Sequence, residues 1–329
     1  MSIEAVHGFN IQKRKEMIMS NQTEKAFKEM YKFFDENGGI EDKSKDEAQK
    51  LINEFMEKYN KSPRMLTESS TKTADDFFEL ASSASSKKNA LKYAKKAVEL
   101  DPNHIDAAEM VAQLSATSID NLLSRLEKII ASAEVKLKEA GLFEDDAIGD
   151  FWLIFQTRPY MRLLDSYALI DCGRMRAAIA VCEKMLKLCK NDNLGERYRL
   201  MHLYAYLEDE DAALALVSRY PEEKSTQFLL PLSVLYYKLG NLPEAERYLK
   251  SLSEVNEDTA LFFDCILNGK CEEYVYKIPE YGYRVATMDE LLIETDENTF
   301  LFRSVYGYYD WANRKLRTKR EPKAGTARK

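Results

Sequence analysis

The residues that could carry chemistry are few and scattered. The chain of 329 residues has three histidines and five cysteines, and none of them stands at a metal-ligand spacing such as HExxH or CxxC. It also lacks the GxGxxG and GxxxxGK[ST] motifs of nucleotide sites and the GxSxG motif of serine hydrolases. The residues concerned are His7, His104, His202, Cys172, Cys182, Cys189, Cys265 and Cys271. We therefore expect no catalytic residue, no metal and no cofactor, and predict that the protein is not an enzyme.

Two smaller clusters have simpler explanations than chemistry. Cys182 and Cys189 are seven residues apart on one predicted helix, but two sulfurs without a histidine or further cysteines make a poor metal site. Buried packing explains them better. The acidic runs 145–146 and 208–211 are predicted to lie in turns between helices, where solvent and helix N-termini stabilise carboxylates.

Two arginines form the one plausible site for a small ligand. Arg158 and Arg162 flank Pro159, a residue typical of the first turn of a helix, and could bind an anion together with the helix N-terminus. The alternative, which we favour, is internal pairing with carboxylates of the preceding segment. The candidates for that pairing are Glu144, Asp145, Asp146 and Asp150. Such pairing would also weaken a third hypothesis, an enzyme site around Trp152 and the two arginines.

The composition favours helices and excludes several classes of protein. The chain is 31% charged and 45% hydrophobic, with only 12 Gly and 8 Pro. It has no run near 18 apolar residues, so no membrane span is predicted. The net charge of −7 argues against a body that grips nucleic acid. The first residues lack the apolar stretch of a signal peptide, although Met17 or Met19 could be the true start. We expect free thiols and a cytoplasmic location.

An internal repeat is the strongest pattern in the chain. In a frame of about 34 residues that begins at Thr71, small or apolar residues occupy the positions at which two antiparallel helices approach closely. These residues are Phe78, Ala90, Ala94 and Ala97, and Pro102 follows the second helix. This spacing is typical of the tetratricopeptide repeat, in which the proline ends the second helix because it cannot continue the hydrogen-bond ladder.

The same frame recurs four times, which predicts five helical hairpins. The later repeats begin at Ile105, Pro159, Asn193 and Thr226, and those from Ile105 and Asn193 are degenerate. The matching residues are Ala112, Ser124 and Ala131; Ser166, Gly173, Ala178 and Met185; Leu200, Ala212 and Leu216; and Ser233, Gly240, Ala245, Leu249 and Leu252. The predicted fold class is therefore all-α, a solenoid of about five tetratricopeptide-repeat hairpins with helical additions at both ends.

The additions complete the predicted domain organisation. Residues 1–70 form an N-terminal helical segment and linker, with helices over Thr23–Asp35 and Lys45–Tyr59. Residues 71–259 form the solenoid, with an insert at 139–158. Residues 260–312 cap the last repeat, with helices from Met288 and near Tyr306–Leu316, and 313–329 form a basic tail.

Several of these residues resemble a known family. The stretches FWLIFQTRPYMR (Phe151–Arg162) and NDNLGERYRL (Asn191–Leu200), followed by a repeat with Gly240, resemble bacterial tetratricopeptide-repeat proteins related to the suppressor-of-tumorigenicity-seven family. The resemblance covers roughly residues 70–312. It implies a repeat fold and a scaffold-like role, and no catalytic residues. The Asn191–Asn193 run itself suits a helix stop followed by a new N-cap.

A partner would be expected on the concave face of such a solenoid. The frame positions that line this face mix aromatic, aliphatic and basic side chains, which suits a peptide groove. They are Tyr160, Leu163, Tyr167, Arg197, Met201, Tyr204, Leu230, Val234, Tyr237 and Lys238. The alternative is that the insert or the C-terminal segment fills the groove. In the first two repeats, positions 5 and 9 are Asp75, Glu79, Glu109 and Gln113, so the Lys/Asn clamp of a chaperone-binding repeat is missing.

The main functional prediction is a non-catalytic scaffold or adaptor that binds a protein or peptide through its concave surface. The alternative comes from residues 313–329, which carry eight basic residues and one acidic residue, a net +7. Such a tail is predicted to be disordered and could contact nucleic acid or an anionic surface. A solvated tail without a partner is the simpler interpretation.

Overall fold

The computed structural model describes residues 24–27, 29–40, 43–61, 66–144, 147–167, 169–170, 172–279 and 282–317. These residues form helices and connecting turns, with no β-strand among them, which confirms the all-helical class. Packing divides the chain into an N-terminal unit, Met1–Cys172, and a C-terminal unit, Gly173–Lys329. This boundary falls inside the predicted third repeat, whose two helices belong to different units.

The N-terminal unit contains seven α-helices among its described residues, and a short 3-10 helix at Phe155–Thr157. Residues 24–27 and 29–36 are helical and are called α1. The others are α2 (Lys45–Lys61), α3 (Ala74–Ser83), α4 (Lys87–Leu100), α5 (Ile105–Ser115), α6 (Ile119–Glu139) and α7 (Arg158–Asp165). The first two helices agree with the predicted ones to within two residues at the ends that the structure describes.

Local sequence explains where α3 and α4 begin and end. Thr73 and Asp76 form a capping box at the start of α3, and Ser86 accepts a hydrogen bond from the Asn89 amide at the start of α4. The α4 helix ends at Leu100, just before the turn that contains Pro102. The two helices pack against each other through the alanines of α4, which are at most 1% exposed.

Successive helices of the N-terminal unit share small hydrophobic clusters. Phe78, Ala97 and Ala107 join α3, α4 and α5. Ala112, Leu126 and Leu163 join α5, α6 and α7. Each helix from α3 to α6 therefore packs against the next helix along the chain.

The second repeat departs from the predicted packing. Its small residues Ser124 and Ala131 are exposed, although the frame places them at close helix contacts. The α6 helix instead buries a different stripe of apolar residues: Leu123, Leu126, Ala133 and Leu137. The helix has 21 residues, and its apolar stripe rather than the repeat frame determines which face is buried.

The C-terminal unit contains ten helices among its described residues. They are α8 (Met175–Leu188), α9 (Glu196–Leu207), α10 (Glu210–Arg219), α11 (Thr226–Lys238), α12 (Leu242–Val255), α13 (Thr259–Asn268), α14 (Glu272–Val275), α15 (Met288–Glu297), α16 (Thr299–Phe302) and α17 (Tyr306–Arg317). The last repeat matches its frame closely, because Ser233 and Ala245 are fully buried where α11 packs on α12. Gly240 takes a positive φ of 75° in the turn between them, as a tight helical connection requires.

Helices α15 to α17 pack back onto the repeat helices of the C-terminal unit. α16 contacts α9, α15 contacts α11, and α17 packs on α12 and α13. Leu291, Leu301 and Tyr308 of this segment are fully buried. The cap predicted for residues 260–312 thus covers more than the end of the last repeat. Residues 313–317 of the predicted tail belong to α17, with Asn313 and Leu316 buried, so the prediction of a disordered tail is wrong for them. Residues 318–329 lie outside the described residues.

The close approach of α3 and α4 gives the first testable prediction. Ala94 is 0% exposed, so Ala94→Leu forces three extra carbon atoms into a filled space. We expect the free energy of unfolding to fall by about 1–3 kcal/mol. Chemical denaturation followed by circular dichroism measures this.

The matched control is Lys95→Leu, on the exposed face of the same helix. It should change the free energy of unfolding by no more than about 0.5 kcal/mol. Equal effects of the two substitutions would contradict the helix packing described for Ala94.

Candidate functional site

The two arginines of the predicted anion site are positioned by the irregular segment before α7. The Thr157 hydroxyl donates to the carbonyls of Phe151 and Ile154, and Thr157 is fully buried. This fixes the turn from which α7 begins, with Pro159 in its first turn as the sequence predicts. Arg158 and Arg162 therefore project from a rigid helix start.

Arg162 is the centre of a buried ion network in the N-terminal unit. Its Nε and Nη2 donate to the two carboxylate oxygens of Asp106 at 3.0 and 2.9 Å, and its Nη1 donates to Glu24 at 2.7 Å. All three residues are less than 10% exposed. Burial acts to lower the pKa of Arg162, but the two carboxylates outweigh it and raise that pKa. The guanidinium is therefore permanently charged and already neutralised by the chain itself.

Arg158 completes the network from a less buried position. Its Nε donates to the Trp152 carbonyl at 2.6 Å, and its Nη1 lies 3.6 Å from Glu24. The guanidinium carbon also lies 4.4 Å from the centre of the Phe155 ring and 5.3 Å from that of Trp152. These distances are within the range of cation–π attraction.

These contacts correct the predicted anion site. The internal-pairing alternative describes the arginines, but with other partners than the sequence suggested. Glu24 and Asp106 take the place of Glu144 and Asp150, and Asp145 and Asp146 lie outside the described residues. An incoming anion would have to displace a buried carboxylate from Arg162, so this position does not form an open site.

Glu109 lies beside the network without a cation of its own. Ser166 and the Gln113 side chain both donate to its Oε1, at 2.6 and 2.8 Å. Burial is the main reason that the pKa of Glu109 is raised to about 8, and neighbouring Asp106 adds to the effect. The two arginines balance Glu24 and Asp106, which explains why a third buried carboxyl group takes up a proton instead.

A lysine extends the same contacts along α1. Lys25 pairs with Asp76 at 2.9 Å and with Glu79 at 2.6 Å, both on α3. Partial burial lowers the pKa of Lys25, but the hydrogen bonds to the two carboxylates raise it overall. Helix α1 is thus held against α3, α5 and α7 by neighbouring residues of opposite charge, Glu24 and Lys25.

The concave residues predicted in the N-terminal unit do not form an open groove. Tyr160 and Leu163 are fully buried, and the Tyr160 hydroxyl donates to Glu134 at 2.8 Å. Tyr167 is partly exposed, but its hydroxyl donates to Glu127 at 2.7 Å. Both tyrosine hydroxyls are therefore already engaged in hydrogen bonds within the unit.

The concave residues predicted in the C-terminal unit are covered by its last helices. Four of them, Met201, Tyr204, Leu230 and Val234, are at most 6% exposed. Tyr237 packs against Tyr308 and Trp311 of α17 at ring-centre distances of 5.4 Å. The alternative in which the C-terminal segment fills the groove therefore describes this unit, and the prediction of an open peptide groove is wrong there.

The two basic residues of the predicted groove also have internal partners. Arg197 pairs with Asp192 at 3.0 Å and Glu223 at 3.2 Å. Lys238 donates to the carbonyls of Ala205 and Tyr206, the former at 2.9 Å. Neither cation is presented to a ligand.

Asp192 performs the capping role that was predicted for the Asn191–Asn193 run. Its carboxylate accepts hydrogen bonds from the backbone amides of Glu196 and Arg197 at 2.7 and 3.1 Å. Burial raises its pKa despite these bonds. Asp192 therefore satisfies the first amides of α9, although Gly195 is the residue at the N-cap position.

The described histidines and the cysteine pair of α8 supply no metal site. No group of three or more metal-ligating side chains occurs in the part of the chain that the structure describes. His104 caps α5 by accepting from the Ala107 amide, and His202 is fully buried, whereas His7 lies outside the described residues. Cys182 and Cys189 are buried, as expected for packing residues. Among the described helices, none combines the length and apolar character needed to cross a membrane.

Comparisons with known proteins add no identification. No protein-family model matches the sequence, and no curated protein is significantly similar to it. The function must therefore be argued from the chain itself.

Sequence reasoning missed the acidic half of the network. Asp106 and Glu109 occupy concave positions 2 and 5 of the second repeat, so their frame positions could have paired them with the arginines of the third. Glu24 carries no such signal, because only the packing of α1 brings it to Arg162. The contacts of the Phe27 and Tyr31 rings with Phe155 were likewise not predicted.

Arg162 provides a prediction about stability. In Arg162→Met, Asp106 remains buried without its cation and Glu24 keeps only the longer contact with Arg158, and we expect a loss of about 3–5 kcal/mol in the free energy of unfolding. Adding Glu24→Gln and Asp106→Asn to this variant removes the uncompensated charges and should restore most of the loss. Urea denaturation of the three proteins measures both effects.

Arg158→Met is the milder control, because the Arg158 side chain is 18% exposed compared with 7% for Arg162. A different result would revive the anion site: phosphate that raises the melting temperature of the wild type, but not of Arg162→Met, would show that Arg162 is open to anions.

Glu109 provides a prediction about pH. Its pKa of about 8 in the folded chain is above its ordinary value of 4.5, so the folded chain holds a proton that the unfolded chain releases. Stability from this group is present below about pH 4.5 and is lost as the pH rises to about 8, by at most about 1.4 kcal/mol per pH unit.

The comparison with Glu109→Gln isolates this effect, because Asp106, Asp165 and Arg162 are common to both proteins. We expect the difference in unfolding free energy, wild type minus variant, to fall across that window and to level off above it. A difference that does not change with pH would mean that Glu109 is ionised in the folded protein.

Proposed function

We propose that the protein is a non-catalytic scaffold of tetratricopeptide-like helical hairpins that binds a protein partner in the cytoplasm. The arrangement of α3 to α7, and of α8 to α12, supports the repeat architecture, because neighbouring helices within each unit pack through small buried residues. The resemblance to proteins related to the suppressor-of-tumorigenicity-seven family belongs to the same proposal. The covered concave faces lead us to place the partner elsewhere.

One exposed surface carries the proposal. We call it the aromatic surface, and it consists of Phe27, Tyr31, Trp152 and Phe155 in the N-terminal unit, together with Leu153, the exposed residue that follows Trp152 in the chain. The Phe27 ring stacks on Phe155 with centres 5.5 Å apart, and the Tyr31 ring lies 6.1 Å from it. Phe27, Tyr31 and Leu153 are nevertheless 40%, 51% and 60% exposed.

The chemistry of this surface is that of a protein interface. Aromatic side chains and arginine are the residues most enriched at the energetic centres of protein complexes. Arg158 lies over the Trp152 and Phe155 rings, so it holds these two rings in place while its charge is satisfied by Glu24. A partner with an apolar, carboxylate-poor contact surface fits this arrangement, because such a surface leaves the pairing of Arg158 intact.

The test is affinity capture from the source cells, followed by direct binding of the captured protein in purified form. The variant is Tyr31→Ser with Leu153→Ser. Truncation of one hot-spot residue costs about 2 kcal/mol or more, so we expect the partner to bind at least about 30-fold more weakly.

The matched control is Leu100→Ser with Val135→Ser, two side chains of the same unit that are each 54% exposed but lie outside the aromatic surface. It should retain the partner at wild-type affinity. Equal loss in both variants would contradict the aromatic surface, and a wild type that enriches no protein over a bead control would contradict the scaffold function.

A further inference from the structure

Two cysteines meet at the turn that ends α13. The Gly269 amide donates to the Ile266 carbonyl and the Lys270 amide donates to the Cys265 carbonyl at 3.0 Å, with Gly269 at a φ of 66°. This left-handed turn folds the chain back on the last turn of the helix. The next residue is Cys271, whose carbonyl accepts from the Tyr274 amide at the start of α14. The turn therefore places Cys271 beside Cys265, six residues earlier.

The two thiols differ in access but touch each other. Cys265 is 3% exposed and Cys271 is partly exposed, and their side chains are hydrogen-bonded. Two other buried thiols, Cys182 of α8 and Cys189 directly after it, have different neighbours. Cys182 lies beside Glu196, and the Cys189 sulfur is 3.3 Å from the Asn193 side-chain oxygen.

We propose that Cys265 and Cys271 form a dithiol site that a small-molecule disulfide, such as glutathione disulfide, oxidises to an intramolecular disulfide. The Cys271 thiolate, which solvent can reach, attacks one sulfur of the reagent, forms a mixed disulfide and releases one glutathione thiolate. Cys265 then loses its proton to water and attacks the Cys271 sulfur, which forms the protein disulfide and releases the second glutathione. The two electrons given up by the protein dithiol reduce one glutathione disulfide to two thiols.

The pKa of the Cys271 thiol sets the speed of this reaction. Burial, and the hydrogen bond with Cys265, raise the pKa of the Cys271 thiol to about 12. Only the thiolate attacks, so the reaction is slow near neutral pH and its rate rises about tenfold for each pH unit below that pKa. The product is a disulfide that spans the turn between α13 and α14. It forms during sustained oxidation rather than in rapid cycles of oxidation and reduction.

The experiment uses the purified, reduced full chain, glutathione disulfide as the reagent, and buffers between about pH 7 and about pH 9. Tryptic mapping without reduction reads out the site, because Lys270 separates the two cysteines and trypsin yields peptides 251–270 and 271–277. We expect these two peptides to become linked, at a rate that rises about tenfold per pH unit. Glutathione carried by Cys172, a partly exposed thiol, reports that the reagent is active.

Single variants separate the two steps. Cys265→Ser should keep glutathione on Cys271 as a stable mixed disulfide, and Cys271→Ser should leave Cys265 unmodified because it is buried. The proposal is wrong if the wild type is modified at Cys172 while peptides 251–270 and 271–277 stay unlinked, or if its mixed disulfide at Cys271 persists without transfer to Cys265.

Discussion

A buried guanidinium has to be neutralised where it lies, and the N-terminal unit is organised by that requirement. Arg162 is only 6% exposed, and it draws carboxylates from two other helices, Glu24 of α1 and Asp106 of α5. Breaking either contact would leave a charge in a low-dielectric interior, which costs far more than the loss of a surface pair. The network therefore specifies which helices meet, and it explains why α1 lies against the repeat helices.

The C-terminal unit contains a different pair of buried polar side chains. His202 and Glu294 are both buried, and the His202 Nε2 lies 2.6 Å from the Glu294 Oε1. The other ring nitrogen is 2.8 Å from the Tyr198 carbonyl, which can only accept, so it carries a hydrogen. The approach of Nε2 to Oε1 brings together two buried side chains from different helices. This contact attaches α15 to α9, as the Glu290 carboxylate attaches α15 to Thr226 of α11.

Contacts between side chains far apart in the sequence, such as Arg162 with Glu24 and His202 with Glu294, could not be predicted. Helices could be predicted from the sequence, because the signals that define them are local. These signals are the spacing of apolar residues, the capping residues, and the helix-ending Pro102 and Gly240. The helices from Met288 and near Tyr306 were found for the same reason. The interpretation of the concave positions failed because it assumed open space next to them. Whether α15 touches α9 depends on Glu294 reaching His202, 92 residues away in the chain, and no local pattern encodes a contact over that separation.

The predicted concave positions of both units are filled by side chains of the protein itself, and this affects where a partner could bind. A partner that entered either face would have to replace ion pairs and apolar packing that the chain already provides, so its binding energy would largely offset what it displaced. The aromatic surface involves no such exchange, because Phe27 and Tyr31 are exposed before any partner arrives. These two residues lie on α1, the helix whose Glu24 neutralises Arg162. The buried network and the exposed surface therefore depend on the same helix, and a change that releases α1 from Arg162 would also dismantle the surface that we propose for the partner.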